Sequence, residues 1–312
     1  YAAAIYSGQG YWFDYNQGTG VAQTEVANEN ISWEKSRQFN VGLDAQLFDS
    51  RLGLTVDVFR RKTYDMLQRF PIPSYVALTP PWENRGDIEN KGWEVSATWK
   101  DQINDFNYSI TANVTDIRNK ALNLYGNEYI DGIYTTREGE ALSSFFGYVS
   151  DGLFQTQEEI DNSPVYGTKA NTKPGYVRYV DISGPDGVPD GVIDTYDRTI
   201  LGSNMPRYEY SLNLSAELKG FDLTLFFQGI GKKDLFYTGS GVRPFLVGRS
   251  MFKYQLDYWS EENRDAEFPI LLIDGSGNNP NNIASDFWMK SGAFMRLKNL
   301  TLGYTLPKAW TE

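Results

Sequence analysis

Leu52, Leu54, Val56 and Val58 alternate with Arg51, Gly53, Thr55 and Asp57. A period of two places the first set on one face of a strand and the second on the other. The same alternation recurs at Tyr208, Tyr210, Leu212, Leu214, Ala216 and Leu218, set against Glu209, Ser211, Asn213, Ser215, Glu217 and Lys219. Upstream, Phe39, Val41, Leu43, Ala45 and Leu47 lead to Asp49-Ser50, which is expected as a two-residue turn into a strand from Arg51 to about Lys62. Trp93, Val95, Ala97 and Trp99 go one way, and Phe106, Tyr108, Ile110, Ala112 and Val114 come back after a tight turn at residues 102–105. Lys219-Gly220 turns the third hairpin into Phe221, Leu223, Leu225 and Phe227. A seventh strand is expected from near Ala293 to Leu306-Pro307.

The connections between these hairpins are of another kind. They cover residues 63–91, 118–207 and 231–292, far longer than the loops of most compact domains. Short turns at one end and long loops at the other is the habit of bacterial outer-membrane barrels, whose long loops are extracellular. Each row of large apolar side chains left in water would forgo roughly 1.5–3 kcal/mol per residue. Lipid covers such rows without a second sheet. The expected fold is therefore all-β, an antiparallel transmembrane β-barrel segment with long extracellular loops. Seven strands are odd in number and too few to close a barrel, so the chain is expected to be a segment of a larger one.

Composition narrows the function. The formal net charge of −11 argues against nucleic acid as a partner. The absence of histidine removes imidazole bases and most zinc sites, and the absence of cysteine removes disulfides. No run of about 18 apolar residues offers a membrane helix, which says nothing against strands. The start, Tyr1-Ala2-Ala3-Ala4-Ile5, lacks the basic-then-apolar order of a signal peptide. Aromatic residues make up 15%, suited to membrane-interface girdles or to stacking on sugars. Tyr125, Tyr129, Phe145, Phe146 and Tyr148 are the candidate substrate contacts, with Tyr134, Trp259 and Trp288 behind them. Girdle or loop core is the simpler reading of each one alone. Arg85, Arg118 and Arg296 are candidate lumenal contacts, with ordinary ion pairs the simpler reading. No two carboxylates share a rigid frame as a glycosidase would need, so no catalytic residue is assigned.

The sharpest local pattern is the stretch from Asp186 to Asp197. Calcium loops place ligands at positions 1, 3, 5, 7, 9 and 12, with glycine at 6. Asp186, Asp190, Asp194 and Asp197 fall at 1, 5, 9 and 12, Gly191 at 6, and the Val192 carbonyl at 7. Val188 at position 3 is a misfit, and no helices flank the stretch. A structural calcium ion is one expectation. A Gly/Pro/Asp turn cluster held by side-chain hydrogen bonds without metal is the other.

Several segments together look familiar: Trp33-Glu34-Lys35, residues 39–44, Asn90-Lys91-Gly92, residues 144–148, Asp151-Gly152-Leu153-Phe154-Gln155, Phe227-Gln228-Gly229, residues 294–300 and Gly303-Tyr304-Thr305-Leu306-Pro307. In order and spacing the chain resembles the C-terminal half of SusC/RagA-type TonB-dependent transporters of Bacteroidetes outer membranes. The resemblance covers nearly everything beyond residue 30. It implies that residues 1–312 are the C-terminal part of a 22-stranded barrel, with the plug domain and the TonB box elsewhere. It implies import of an oligosaccharide, or of a peptide in the RagA branch, with a SusD-like surface lipoprotein and the TonB–ExbB–ExbD complex as partners. It also suggests that Asp181 and Ser183 supply ligands to the acidic loop, because the family's uninterrupted Asp-x-Asn-Gly-Asp-Gly carries an insertion here. The rival readings are a soluble carbohydrate-binding β-protein and a passive barrel such as an adhesin.

Overall fold

The computed structural model describes residues 5–13, 15–69, 72–242, 244–245, 250–272 and 279–307. Seven strands form one antiparallel sheet: β1 (Lys35–Leu47), β2 (Leu52–Tyr64), β3 (Asp87–Ile103), β4 (Phe106–Asn123), β5 (Arg207–Leu218), β6 (Phe221–Lys232) and β7 (Phe294–Tyr304). They lie side by side in chain order, an up-and-down meander. β2, β3 and β4 run further toward the long loops than the alternation suggests, because charged residues such as Arg60, Lys91, Arg118 and Lys120 interrupt the apolar rhythm there.

Register carries the apolar pattern across the whole sheet. One rung reads Leu47, Leu52, Trp99, Ile110, Leu214, Leu225 and Leu300. The neighbouring rung on the other face reads Gln46, Gly53, Thr98, Thr111, Asn213, Phe226 and Asn299. The polar face is laced by cross-strand bonds, from Thr55 Oγ1 to Asp44 (2.7 Å), between the Thr98 and Thr111 hydroxyls (3.1 Å), and from Asn113 to Ser211 (3.1 Å). A β-bulge between Phe226 and Phe227 leaves Lys298 unpaired on β7. Past it, Phe227 faces Leu297 on the apolar side and Gln228 faces Arg296 on the polar side.

The short turns sit at one end. Lys219 and Gly220, at φ 46° and 85°, make the expected two-residue turn, since both central residues occupy the left-handed region. The first hairpin differs from expectation. Its turn spans four residues, 48–51, with Phe48, Asp49 and Ser50 all at positive φ and the Arg51 N–H donating to Phe48 O at 3.1 Å. The Phe48 ring lies 6.1 Å from Trp99, so the longer turn sets an aromatic beside the sheet's rim. A further hairpin, Ile5–Phe13 with Asn16–Gln23, pairs with itself and not with the seven-stranded sheet. Its glycine-rich sequence hides it from a period-two search.

Candidate substrate-entry site

At the other end of the sheet the long loops fold together. Among the described residues, nearly every buried apolar side chain lies in them: Tyr148, Leu153, Val177, Tyr179, Ile193 and Trp259 form one cluster. Phe154, Ile160 and Tyr176 form a second, and Val242, Phe268 and Trp288 a third. The second and third long loops are sewn to each other. Tyr148 N–H donates to Ala284 O (2.8 Å), Ser150 N–H to Asp286 (2.7 Å), Val177 N–H to Asn281 Oδ1 (2.9 Å) and Trp259 Nε1 to Gln155 Oε1 (2.9 Å). Gly147 permits this approach, because a Cβ there would run into the Ala284 carbonyl. The result is a folded cap rather than a fringe of separate loops.

The candidate aromatics divide on this architecture. Phe145, Phe146 and Tyr148 are buried in the cap, on the strand Ser144–Tyr148, which pairs with Arg198–Ser203. Phe145 stacks on Tyr134 at 5.4 Å, and the guanidinium groups of Arg137 and Arg198 lie 5.4 Å and 4.4 Å from the Phe146 ring centroid. Tyr148 sits against Tyr166 and Tyr179, each 5.6 Å away, and burial pushes its phenol up to about 12. Trp259 and Trp288 are buried as well. These side chains build the cap. Tyr125 and Tyr129 are open to solvent, at 55% and 48% exposure.

Tyr129 lines a cleft of about 340 Å³ together with Leu67, Arg69, Trp82, Asn127 and Leu142. One wall is a small hairpin, Leu67–Arg69 paired with Trp82–Asn84. Its place is fixed by Asn84, whose amide donates to Asp65 O (2.9 Å) and Ser32 O (2.8 Å), and by Leu67 N–H donating to Glu34 (2.9 Å). Arg69 lies 4.7 Å over the Trp82 ring and pairs with Glu25 at 2.5 Å. Trp82 and Arg69 escaped the sequence reading, since nothing local announces that residues so far from Tyr129 in the chain will face it. An aromatic plane, a phenol and a guanidinium around one cleft can hold a sugar ring or a peptide by stacking and hydrogen bonds.

The acidic loop is ordered by its own backbone. Asp197 is fully buried, and its carboxylate accepts from the N–H groups of Ile182 (2.8 Å), Ser183 (3.1 Å) and Asp194 (2.8 Å). Asp194 caps the following turn through Tyr196 N–H at 2.8 Å. Asp190 accepts from Val192 N–H (3.0 Å) and Asp181 from Gly191 N–H (2.5 Å). Asp186 and Val192 are exposed. Among the described residues no three carboxylates converge to hold a metal ion. One acceptor of the loop, Asp181 Oδ1, is buried and unpartnered. Of the candidate arginines, Arg85 pairs with Glu83 (2.7 Å), Arg296 reaches Gln228 on the polar face, and Arg118 stands on the apolar-parity face beside Asp116 (3.6 Å). Arg118 therefore stands on the opposite face from the lumenal one expected of it.

Comparison with known proteins agrees with this architecture. A family model described as TonB dependent receptor-like, beta-barrel, matches residues 1–311. TonB-dependent receptor P3 of Formosa agariphila is 32% identical over 94% of this chain, which covers 29% of that receptor. The SusC receptor of Bacteroides thetaiotaomicron is 26% identical over 93% of the chain and 28% of its own length. The RagAB peptide importer in its open-open state superposes with a TM-score of 0.76 at 25% identity, covering 100% of this chain and 32% of that one. The chain thus spans less than a third of the length of these relatives. They are receptors and transporters rather than enzymes. With a sheet apolar on one face, polar on the other and capped at one end, the chain belongs to the TonB-dependent receptor β-barrel family of outer-membrane proteins.

Proposed function

We propose that this chain is the wall and outer cap of a barrel that imports a large nutrient across the outer membrane, driven by TonB–ExbB–ExbD. Its partner at the surface is a SusD-like lipoprotein, and the long loops face outward. The observation that carries this reading is the unbroken apolar rung on one face, set opposite a rung that is polar but for Gly53 and Phe226. Such a wall separates lipid from a watery lumen. The cleft between Trp82 and Tyr129 lies at the capped end, where an incoming ligand would meet it.

The substrate class is an oligosaccharide or glycan fragment, for which the exposed Trp82, Tyr125 and Tyr129 offer stacking faces. A peptide is the second reading. It is favoured by the superposition on a peptide importer and by the charged Arg69–Glu25 pair at the cleft. The test is uptake of labelled glycans and peptides by cells carrying the full-length protein, with and without a functional TonB box. TonB-dependent uptake of one class supports the proposal. Uptake that persists without TonB, or a protein that fractionates away from the outer membrane, overturns it.

For the acidic loop, the buried Asp181 Oδ1 is the point at which a cation would be felt. A calcium titration giving one-site heat, abolished by Asp181→Asn, supports a calcium loop. No heat leaves the backbone hydrogen bonds as its sole organiser.

A further inference from the structure

Just beyond the apolar band, the face that carries the apolar rungs turns basic. From Trp93 to Ile103, β3 rises about 25–28 Å along a barrel axis at the usual strand rise and tilt, the height of a hydrocarbon band. The next two rungs toward the cap, on the same face, read Phe39, Arg60, Lys91, Arg118 and then Arg37, Lys62, Glu89, Lys120. Six cations meet one carboxylate across four adjacent strands. At the same height the other face reads Asn40, Phe59, Gly92, Ile117 and Gln38, Arg61, Asn90, Asn119, a single cation. The excess of positive charge is thus placed on one face.

Three of these cations, Arg60, Lys91 and Arg118, are direct cross-strand neighbours. Like charges so placed repel, and the sheet tolerates them best when an anion lies across them. The protein does not supply enough. Glu89 is shared by Arg60 (2.5 Å) and Lys62 (4.0 Å). Asp116 has both oxygens on Arg207, one at 2.7 Å, and stands 3.6 Å from Arg118. Arg37, Lys91 and Lys120 have no carboxylate partner among the described residues. Lys91, Arg118 and Lys120 also line a cleft of about 510 Å³, to which Arg207 and Lys232 contribute from β5 and β6. Glu89, Glu140 and Asp234 lie along it too, and Asp234 is already engaged by Ser203 N–H at 3.0 Å.

We propose that this basic belt binds the phosphate-bearing headgroup of the outer-leaflet glycolipid. The inference rests on the reading that the loops face outward, which puts the belt at the height of that leaflet's headgroups. A lipid phosphate there neutralises Arg60, Lys91 and Arg118 at once, from the side on which the lipid already stands.

The experiment uses the full-length protein in mild detergent and measures binding of purified outer-leaflet glycolipid, the same lipid dephosphorylated, and phosphatidylglycerol. The variant combines Lys91→Gln, Arg118→Gln and Lys120→Gln, and Arg61→Gln serves as the control on the opposite face. Affinity for the intact glycolipid falls roughly tenfold to a hundredfold in the triple variant and is unchanged in the control. The dephosphorylated lipid binds the unmodified protein as weakly as the intact lipid binds the variant. Should the triple variant misfold, the unmodified protein still answers: its affinity drops steeply as salt rises from 0.05 to 0.5 M. Equal binding by variant and parent, or salt-insensitive binding, overturns the proposal. Preference for phosphatidylglycerol overturns the assignment to the outer leaflet. Nutrient uptake measured in the same strains reports separately on the import reading.

Discussion

In the sheet, Val58 and Ile110 on interior strands are 55% and 41% exposed, whereas in the cap Phe154, Ile160 and Trp288 are 1%, 0% and 2% exposed. The same residue types meet opposite fates a few strands apart. The cap solves the problem as a water-soluble domain does, by burying apolar surface against itself. The sheet leaves its apolar rungs uncovered by protein, because lipid is the solvent on that side. Backbone polarity follows the same division. In the sheet every strand pairs with its neighbours, and in the cap short strands, turns and side-chain acceptors share the task.

This contrast says where substitutions should act. The largest effect is expected in the cap. Trp288 is buried and its Nε1 donates to Asn281 O at 2.7 Å, so Trp288→Ala should cost about 3–5 kcal/mol of cap stability. The cap should become protease-sensitive while the barrel stays folded in detergent. If barrel and cap unfold together, they are not separate units.

Next comes the lipid face. Leu54→Arg, on the rung with Ala45, Ala97, Ala112, Leu212 and Phe227, should cost about 2–4 kcal/mol near mid-bilayer. Thr55→Arg, one residue along, should cost only about 0.5–1.5 kcal/mol, for its lost hydrogen bond to Asp44. Folding titrations into lipid vesicles measure both, and equal costs would erase the difference between the faces.

Smaller again are two changes in the cap's joints. Gly175 sits at φ 88° with Trp259 against the place a Cβ would occupy, so Gly175→Ala should cost roughly 1–3 kcal/mol. Asp197→Asn should cost about 1–3 kcal/mol, because it replaces an acceptor of a buried N–H by a donor. Hydrogen exchange at Ile182 and Asp194 reads the second directly.

The smallest effect is a pH dependence. The Leu124 and Gly126 N–H groups hold the Glu138 carboxyl below its usual range. A depressed folded value stabilises the loop above the unfolded one, and the stability is lost as pH falls through the folded value. Order around residues 124–138 should therefore persist at neutral pH and fade below the ordinary glutamate range. Exchange rates at Leu124 that ignore acidification would contradict this.

The sheet was legible because its signal is local. Leu52, Leu54, Val56 and Val58 announce both a strand and its lipid face, and Lys219-Gly220 announces its turn. Strand ends were less legible. Lys91, Arg118 and Lys120 continue the sheet, yet their charge breaks the apolar rhythm that marked it. The cap's interior could not be read at all from local pattern. Tyr148 meets Ala284, and Gln155 meets Trp259, across more than a hundred residues. Local pattern alone therefore groups Phe145, Phe146 and Tyr148 with Tyr129 as candidate contacts, although burial separates them. The acidic spacing showed that a turn cluster is present, but not that backbone N–H groups would take its oxygens.

The central claim is that alternate residues of one strand face lipid and lumen. Within this chain there is no cysteine, so single cysteines along β5 give a clean probe in the full-length protein once any others are removed. In reconstituted membranes, cysteines at Ser211, Asn213 and Ser215 should react with a water-soluble maleimide, while those at Leu212 and Leu214 resist it and report quenching by lipid-borne probes. Uniform reactivity along the strand, or alternation with the opposite phase, would contradict the account.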